Sequence, residues 1–175
     1  MFVFADAVPF LHNVPATGWW ARKGVRPTFC ANAGRHRYRV LGGYGAQDGS
    51  YVGVSTVGTI NAQTVCEWIE WLQVSYPEAE RIPVYGDNAR YFHARLVQAY
   101  LVGKRVRFVF LPPYSPHLNL IERLWKFCKK TVLSRFYPTF AAFMEAIDAF
   151  FDPLDDYGQE LDSLLTDNFE LPVRP

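Results

Sequence analysis

The spacing of apolar residues predicts three short strands in the first third of the chain. Residues 1–6 open on a continuous apolar run, which is typical of a buried strand. Residues 38–45 and 51–57 are rich in β-branched, aromatic and glycine residues, and Asp48-Gly49 lies between them. Because Asp-Gly is a strong turn signal between two strands, we expect these two runs to form a hairpin. With the first strand, they predict an antiparallel meander.

The period then changes to that of a helix. Asn61 is a good N-cap residue and Pro77 is a helix-ending residue, so the pattern predicts a helix between them. The apolar residues of this segment recur at helical spacing and mark one buried face. They are Val65, Trp68, Ile69, Leu72 and Tyr76.

Strands and helices alternate over the next fifty residues. The pattern predicts a strand at 82–85, a helix at 90–102, a strand at 106–111 and a helix at 119–133 that Asn119 would cap. Such alternation indicates parallel strands joined by right-handed crossovers. The order β-β-β-α-β-α-β-α is typical of a ribonuclease H-like α/β fold, with a five-stranded mixed sheet (antiparallel meander plus parallel strands) flanked by helices.

The remaining segments carry weaker signals. Residues 7–35 contain several prolines and glycines without a sustained period, so we expect a loop with one short strand near 28–31. Thr139 is placed to cap a further helix, and residues 157–167 are predicted to form the last one.

Composition and charge describe a globular chain with two unlike parts. Half of the 175 residues are apolar and 17% are aromatic, which indicates one domain with a sizeable core. Residues 1–135 hold seventeen Lys and Arg against eight Asp and Glu, a net of +9, and residues 136–175 hold one against nine, a net of −8. We expect a single domain over 1–175 whose basic body binds a polyanion and whose acidic helical extension begins at about residue 136. The alternative is that the basic and acidic residues lie on ordinary solvent-exposed faces whose charges happen to differ, with no polyanion partner.

The cysteines and the hydropathy pattern limit the cellular setting. The three cysteines are far apart and lack zinc-site spacing, so we expect reduced thiols. No apolar run approaches the roughly 18 residues of a membrane span, and the first residues lack the basic start of a signal peptide. These features predict a soluble protein of the cytoplasm with no membrane partner.

Three acidic residues stand at the predicted ends of secondary-structure elements. Asp6 ends the first strand, Asp87 follows the strand at 82–85, and Glu122 lies in the first turn of the helix after a proline-rich approach. Carboxylates gathered at element ends can bind divalent metal, and oxygen ligands favour Mg²⁺ or Mn²⁺ over zinc.

The segments around these acids resemble the catalytic domain of DDE transposases of the mariner-like and bacterial insertion-sequence superfamily. The similarity rests on Asp87-Asn88-Ala89 and on the run Leu-Pro-Pro-Tyr-Ser-Pro-His-Leu-Asn-Leu-Ile-Glu-Arg-Leu-Trp at 111–125. Thirty-four residues separate Asp87 from Glu122, an interval that the family also uses. The resemblance extends over residues 1–133, including the Gly-Trp…Lys-Gly segment at 18–24.

This resemblance implies a function and a set of site residues. Asp6, Asp87 and Glu122 would be the catalytic triad that binds two Mg²⁺ or Mn²⁺ ions, with Asp6 bridging them and Asn88 orienting Asp87 from the second shell. The implied reaction is hydrolysis at the ends of a DNA element, followed by transfer of the freed 3′-hydroxyl to target DNA. The implied partners are element-end and target DNA and a second copy of the chain in a homodimer. In the family a helical DNA-binding domain precedes this point, and we expect it to be absent here.

Basic residues in two places are candidate DNA contacts. On the predicted helix at 119–133, Lys126, Lys129 and Lys130 line a face beside Glu122, while Ile121, Trp125, Cys128 and Val132 face the sheet. In the loop, Arg22, Lys23 and Arg26 stand next to two tryptophans. That loop cluster could stack on DNA or simply hold the loop to the domain, and the two readings stay open.

Two other functions are compatible with the same residues. One is a metal nuclease of the same fold that does not transpose DNA, and the other is a catalytically inactive DNA-binding module derived from a transposase. A nucleophile mechanism through Ser115, His12, His93 or His117 is disfavoured because no spacing pairs a nucleophile with a base.

Overall fold

The computed structural model describes residues 1–12, 23–24, 36–113, 115, 118–152, 154–157, 160–161 and 165. Its five strands form one sheet. The strands are β1 Val3–Leu11, β2 Arg37–Gly45, β3 Tyr51–Thr56, β4 Ile82–Gly86 and β5 Val106–Phe110. The predicted strand near 28–31 lies outside the described residues.

Four helices flank the sheet in the described part of the chain. They are α1 Ala62–Ser75, α2 Arg95–Tyr100, α3 Ile121–Val132 and α4 Phe140–Phe151, and a short 3₁₀ turn follows at Leu154–Tyr157. Two predicted caps are confirmed. Asn61 accepts hydrogen bonds from the backbone N–H groups of Gln63 and Thr64, and Thr139 accepts one from Ala142. Most of the helix predicted at 157–167 lies outside the described residues.

The strand order is β3-β2-β1-β4-β5. The first three strands are antiparallel, whereas β4 runs parallel to β1 and β5 runs parallel to β4. The mixed five-stranded sheet predicted from the sequence is therefore confirmed. Its central strand is β1, the strand that carries Asp6.

The side chains of β1 alternate between two cores on opposite faces of the sheet. Val3 and Ala5 pack with the buried face of α1, and Phe4, Val8 and Phe10 pack with α3 and α4. Asp6 is even-numbered, like the residues that pack with α3 and α4, so its carboxylate points to the α3 side. The period-2 pattern of this strand thus decides which helix can reach the acid.

Strand β1 is longer than the sequence predicted. We expected it to end at residue 6, but it continues to Leu11, and Asp6 lies in mid-strand rather than at the end. Pro9 caused the error, because proline usually ends a central strand. The hydrogen bond from His12 N to His36 O shows that the even-numbered residues of β1 direct their N–H groups toward β2. Odd-numbered residues direct theirs to the other side, so the nitrogen of Pro9 points away from β2. On that side β4 has already ended, since it pairs only with residues 3–5, and no N–H is needed there.

Two helix boundaries also differ from prediction. Residues 90–94 form consecutive tight turns instead of helix, with three successive bonds from N–H to the carbonyl three residues earlier, so α2 is short. At the other site Asn119 does not cap α3. Leu120 holds the cap position without a side-chain bond, because the amide of Asn119 bonds Ala5 on β1 instead. Local propensity was overridden by a tertiary contact.

Two further expectations concern thiols and membranes. Cys66 and Cys128 are buried free thiols, in agreement with the prediction, and Cys30 lies outside the described residues. Among the described residues, none of the helices combines the length and apolar character that crossing a membrane requires.

Candidate catalytic carboxylate site

Asp6 is held from α3 by a tryptophan. The Nε1–H group of Trp125 donates a hydrogen bond of 3.0 Å to Oδ2 of Asp6, and the Trp125 side chain is 1% exposed. Gly42 is the partner of Asp6 on β2, and a Cβ atom at that position would lie only 2.5 Å from the Trp125 ring. Glycine at 42 therefore makes the space in which the indole reaches the carboxylate.

Asp87 begins the loop that leaves β4. Its Oδ1 accepts a hydrogen bond of 3.2 Å from the N–H of Ala89, which closes a turn, and the residue is exposed to solvent. Asn88 donates from Nδ2 to the carbonyl of Leu111 at 3.0 Å. Since Leu111 starts the proline-rich approach to α3, Asn88 ties the Asp87 loop to the segment that leads to Glu122.

Glu122 lies in the first turn of α3 and is partly exposed. The N-terminal end of a helix stabilises negative charge, because the unpaired N–H groups and the helix dipole point toward it. Its neighbours Ile121, Leu124 and Trp125 are fully buried against the sheet. Glu122 is thus fixed at the edge of a buried helix face, as the helical spacing predicted.

Asp87 and Glu122 are close enough to Asp6 for their charges to raise its pKa. Burial is the largest cause that raises the pKa of Asp6 to about 7, and the negative charge of Glu122 is the next. The charge of Asp87 raises it further, while hydrogen bonds from the Ala7 N–H and from Trp125 oppose the rise. Residues distant in sequence by more than eighty positions are therefore brought into one electrostatic cluster.

A cleft of about 390 Å³ opens beside two of these acids. Asp87 and Glu122 both line it, together with Asn119 and with main-chain and side-chain atoms of the proline-rich approach; Asp6 is not among its lining residues. Within the part of the chain that the structure describes, no group of three or more His, Cys, Asp or Glu side chains is close enough to hold a metal ion as placed.

The donor set nevertheless fits a hard divalent cation. All three side chains offer only oxygen, which suits Mg²⁺ or Mn²⁺. The described residues place no ion-pair partner on Asp6, Asp87 or Glu122. Burial is the largest cause of the raised pKa of Asp6, and the charges of Glu122 and Asp87 add to it. A bound cation would lower that pKa and draw the carboxylates together.

Sequence reasoning missed two residues of this site and gave a third only a packing role. Tyr91 is partly buried close to the acids: burial, then the charges of Asp87 and Asp6, raise the pKa of its hydroxyl. Asn119 was taken for a helix cap, although it lines the cleft. Trp125 was assigned only to the core. Its position at the end of the proline-rich motif, three residues after Glu122, was the available signal.

The structure gives the exposure of four of the six predicted DNA contacts, and their role stays a prediction. Lys126 and Lys130 are exposed on α3 and Lys129 is partly exposed, which agrees with a basic face that runs from Glu122. Lys23 is exposed in a turn with Gly24, which has a φ of 92°. Arg22 and Arg26, and the neighbouring tryptophans, lie outside the described residues.

The described candidates for a nucleophile mechanism have structural surroundings. His12 is buried, is hydrogen bonded through Nε2 to the carbonyl of Tyr137 at 3.0 Å, and packs against Phe143. His93 stacks on Phe110 with ring centres 4.1 Å apart. Ser115 bonds the carbonyl of Pro113, as a turn residue does, and His117 lies outside the described residues.

Comparisons with known proteins identify the family and the fold. The model of the DDE superfamily endonuclease family matches residues 1–144. Among solved structures, a Mos1 mariner paired-end complex with Mn is similar with a TM-score of 0.71 and 18% identity, over 93% of this chain and 52% of that one. A Mos1 transposase paired-end complex with left transposon end gives a TM-score of 0.68 and 17% identity, over 97% and 56%.

The isolated catalytic domain of Mos1 mariner transposase is similar as well, with a TM-score of 0.65 and 16% identity over 93% of this chain and 76% of that one. The chain spans about half the length of the first two structures. No curated protein matches it. At these identities the structures show a shared ribonuclease H-like fold, and the family match covers most of the sequence. The chain therefore belongs to the DDE superfamily endonuclease family.

Proposed function

We propose that this chain is the catalytic domain of a DNA transposase, with Asp6, Asp87 and Glu122 as its metal-binding and catalytic residues. The observation that carries the proposal is that the charges of Asp87, in a loop, and Glu122, at a helix N-terminus, both raise the pKa of Asp6 on the central strand, while Asp87 and Glu122 line one cleft. Membership of an endonuclease family and a fold shared with Mos1 transposase support the same assignment.

The proposed reaction has two steps of one chemistry. Water adds to a phosphorus atom at the element end, its proton is released, and the P–O3′ bond breaks to leave a 3′-hydroxyl. The oxygen of that hydroxyl then attacks a phosphorus atom in target DNA, and the displaced target oxygen leaves as a new 3′-hydroxyl. Two divalent ions would activate the attacking oxygen and stabilise the leaving oxygen. Metal use is supported by the Mos1 complexes with Mn and with Mg, and the number of ions is our proposal.

Within this scheme the chain's own residues position the acids. Trp125 holds Asp6, the Ala89 N–H orients Asp87, and Asn88 fixes the loop that carries Asp87. Each carboxylate must be ionised to bind a cation, so loading the site removes the proton that Asp6 holds below about pH 7.

The proposed partners are element-end DNA, target DNA and a second copy of the chain. The basic body of residues 1–135 and the exposed lysines of α3 provide positive charge for a phosphate backbone. Paired-end complexes of Mos1 support a homodimer that joins two ends. The chain would act in the cytoplasm on nucleoid DNA, with residues 136–175 as an acidic extension of a single domain.

A cleavage and joining assay tests the proposal. Labelled DNA carrying candidate element ends is incubated with the chain and Mg²⁺ or Mn²⁺, and products are separated by size. We expect cutting and joining, and we expect Asp6→Asn, Asp87→Asn and Glu122→Gln each to lower the rate at least a thousandfold, since each removes a charged ligand. Glu67→Gln is the matched control, because Glu67 is exposed on α1 across the sheet.

The outcomes separate the competing functions. Cutting without joining would favour a nuclease of the same fold. DNA binding without either activity would favour an inactive module. Full activity in all three acid variants would exclude the carboxylate site altogether.

A further inference from the structure

Asn119 is a buried polar residue between the two main elements of the site. Its side chain is 3% exposed, and it lies two residues before α3. Its Nδ2 group donates a hydrogen bond of 3.1 Å to the carbonyl of Ala5, the residue that precedes Asp6 on β1. Its own carbonyl accepts a bond of 3.1 Å from the N–H of Glu122. One residue therefore contacts the backbone next to Asp6 and the backbone of Glu122.

The other side-chain atom of Asn119 is an acceptor that the described residues leave unused. Oδ1 is buried and has no hydrogen-bond partner among them. The bond to Ala5 requires an N–H donor, so the assignment of the two amide atoms follows from the contact itself. A buried acceptor left unpaired destabilises a protein by about 1–3 kcal/mol, and such atoms are rare in folded proteins.

The cleft supplies the place from which a donor could come. Asn119 lines it together with Asp87 and Glu122. The carboxylates of these two residues are acceptors when ionised, so they cannot satisfy Oδ1. A water molecule or a hydroxyl group held between the acids can donate one hydrogen to Oδ1 and keep its oxygen directed at a cation.

We propose that Asn119 is a positioning residue whose Oδ1 accepts a hydrogen bond from a cation-bound water, or from the hydroxyl that replaces it, in the carboxylate cleft. The inference rests on the proposed function of this site and adds a role that its acids do not supply. The amide is neutral, so it offers a hydrogen-bond acceptor without adding negative charge to the cleft. Its second bond, to Ala5, fixes the amide plane in which Oδ1 points.

The test measures Mn²⁺ affinity by electron paramagnetic resonance on the full chain, together with the melting temperature. In Asn119→Ala both amide atoms are lost, and we expect affinity to fall about tenfold, as for other residues that orient metal-bound groups. In Asn119→Asp an acceptor oxygen remains but the donor to Ala5 is lost. We expect that variant to recover the affinity while its melting temperature stays below that of the wild type.

Two control variants distinguish a positioning role of Asn119 from a general loss of stability and from a change in the charge of the cleft. Gln98→Ala removes a similar bond, from Nε2 to the Phe92 carbonyl at 3.1 Å, away from the cleft, and should lower stability without changing affinity. Ser115→Asp adds one negative charge at a partly exposed residue of the cleft that holds neither Asp87 nor Glu122 in place. The gain in Mn²⁺ affinity from Asn119→Ala to Asn119→Asp should exceed the gain from the wild type to Ser115→Asp by about tenfold.

The inference is overturned if Asn119→Ala binds Mn²⁺ within twofold of the wild type, or if the affinity gained from Asn119→Ala to Asn119→Asp is no larger than that gained from the wild type to Ser115→Asp. In both cases the acid variants would still lose Mn²⁺, and the proposed function would stand. A wild-type chain that binds no Mn²⁺ would instead overturn both.

Discussion

The indole of Trp125 and the carboxylate of Asp6 form a 3.0 Å hydrogen bond between residues 119 positions apart in the chain. The bond joins the buried face of α3 to the central strand. A hydrogen bond to a charged group contributes more than a neutral one, so it both stabilises the fold and favours the ionised form of Asp6. It makes the state of the catalytic cluster depend on the packing of one helix.

Replacing Trp125 with Phe should raise the pKa of Asp6 above its value of about 7, because the bond that opposes the rise is removed. We also expect a loss of about 1–3 kcal/mol in the free energy of unfolding. Carbon-13 NMR of labelled Asp carboxyl groups measures the pKa, and denaturant titration measures stability.

Trp68→Phe is the control for this variant. Trp68 is equally buried and donates to the carbonyl of Val52 at 2.9 Å, on the opposite face of the sheet. It should lower stability and leave the titration of Asp6 unchanged. An equal shift of the Asp6 pKa in both variants would show that general loosening, rather than the indole bond, is responsible.

The stability of the metal-free chain should fall as the pH rises from about 4 to about 7. In this window the folded chain keeps a proton on Asp6 that the unfolded chain, with a pKa of 3.8, releases. Saturating Mg²⁺ should reverse the slope, because binding requires the ionised form. Thermal unfolding across this pH range, with and without Mg²⁺, measures both slopes.

Asp6→Asn isolates the contribution of the carboxylate. The variant has no group to ionise at this position, so its metal-free stability should vary less with pH and exceed that of the wild type by about 2–4 kcal/mol at pH 8. Added Mg²⁺ should stabilise it little. A wild-type slope that survives the substitution would assign the pH dependence to other groups.

Gly42→Ala should disturb the site without removing a polar atom. The new Cβ would stand 2.5 Å from the Trp125 ring and 2.8 Å from that of Tyr51, so the indole must move away from Asp6. We expect a loss of about 1–3 kcal/mol in stability and a higher Asp6 pKa, measured as for Trp125→Phe. Gly58→Ala, where the nearest atom is the Thr56 hydroxyl at 3.3 Å, should have a small effect on stability and none on the pKa.

Neutralising the exposed lysines of α3 should weaken DNA binding in a salt-dependent way. If Lys126 and Lys130 each contact one phosphate, the double change to Gln lowers the slope of log affinity against log salt by about 2. Fluorescence anisotropy with labelled duplex DNA at several salt concentrations measures the slope. Lys104→Gln, which removes a cation paired with Glu70 on the α1 side, should leave it unchanged.

Much of the fold followed from local patterns. The Asp48-Gly49 turn, the Asn61 cap and the apolar stripe of α1 were readable because each depends on neighbours in the sequence. The electrostatic grouping of the three acids followed from the resemblance, since no local rule says that a strand, a loop and a helix N-terminus meet.

The errors have a common physical cause. Pro9 lies inside β1 because β4 is too short to need its missing N–H, and Asn119 leaves its cap position to bond Ala5. In both cases a contact with a distant strand decides the outcome. Sequence rules for proline and for caps describe a residue among its neighbours, and they cannot include a partner more than seventy positions away.

The alternation of β1 between two packed faces also restricts how this chain can change. Inserting or deleting one amino acid between Val3 and Asp6 would rotate the acid into the layer of α1, away from Trp125, Asp87 and Glu122. In the loops between strands and helices, a change of one residue in length does not turn a whole strand over. Over generations, length variation should accumulate in those loops, while the short interval within β1 should be retained unchanged.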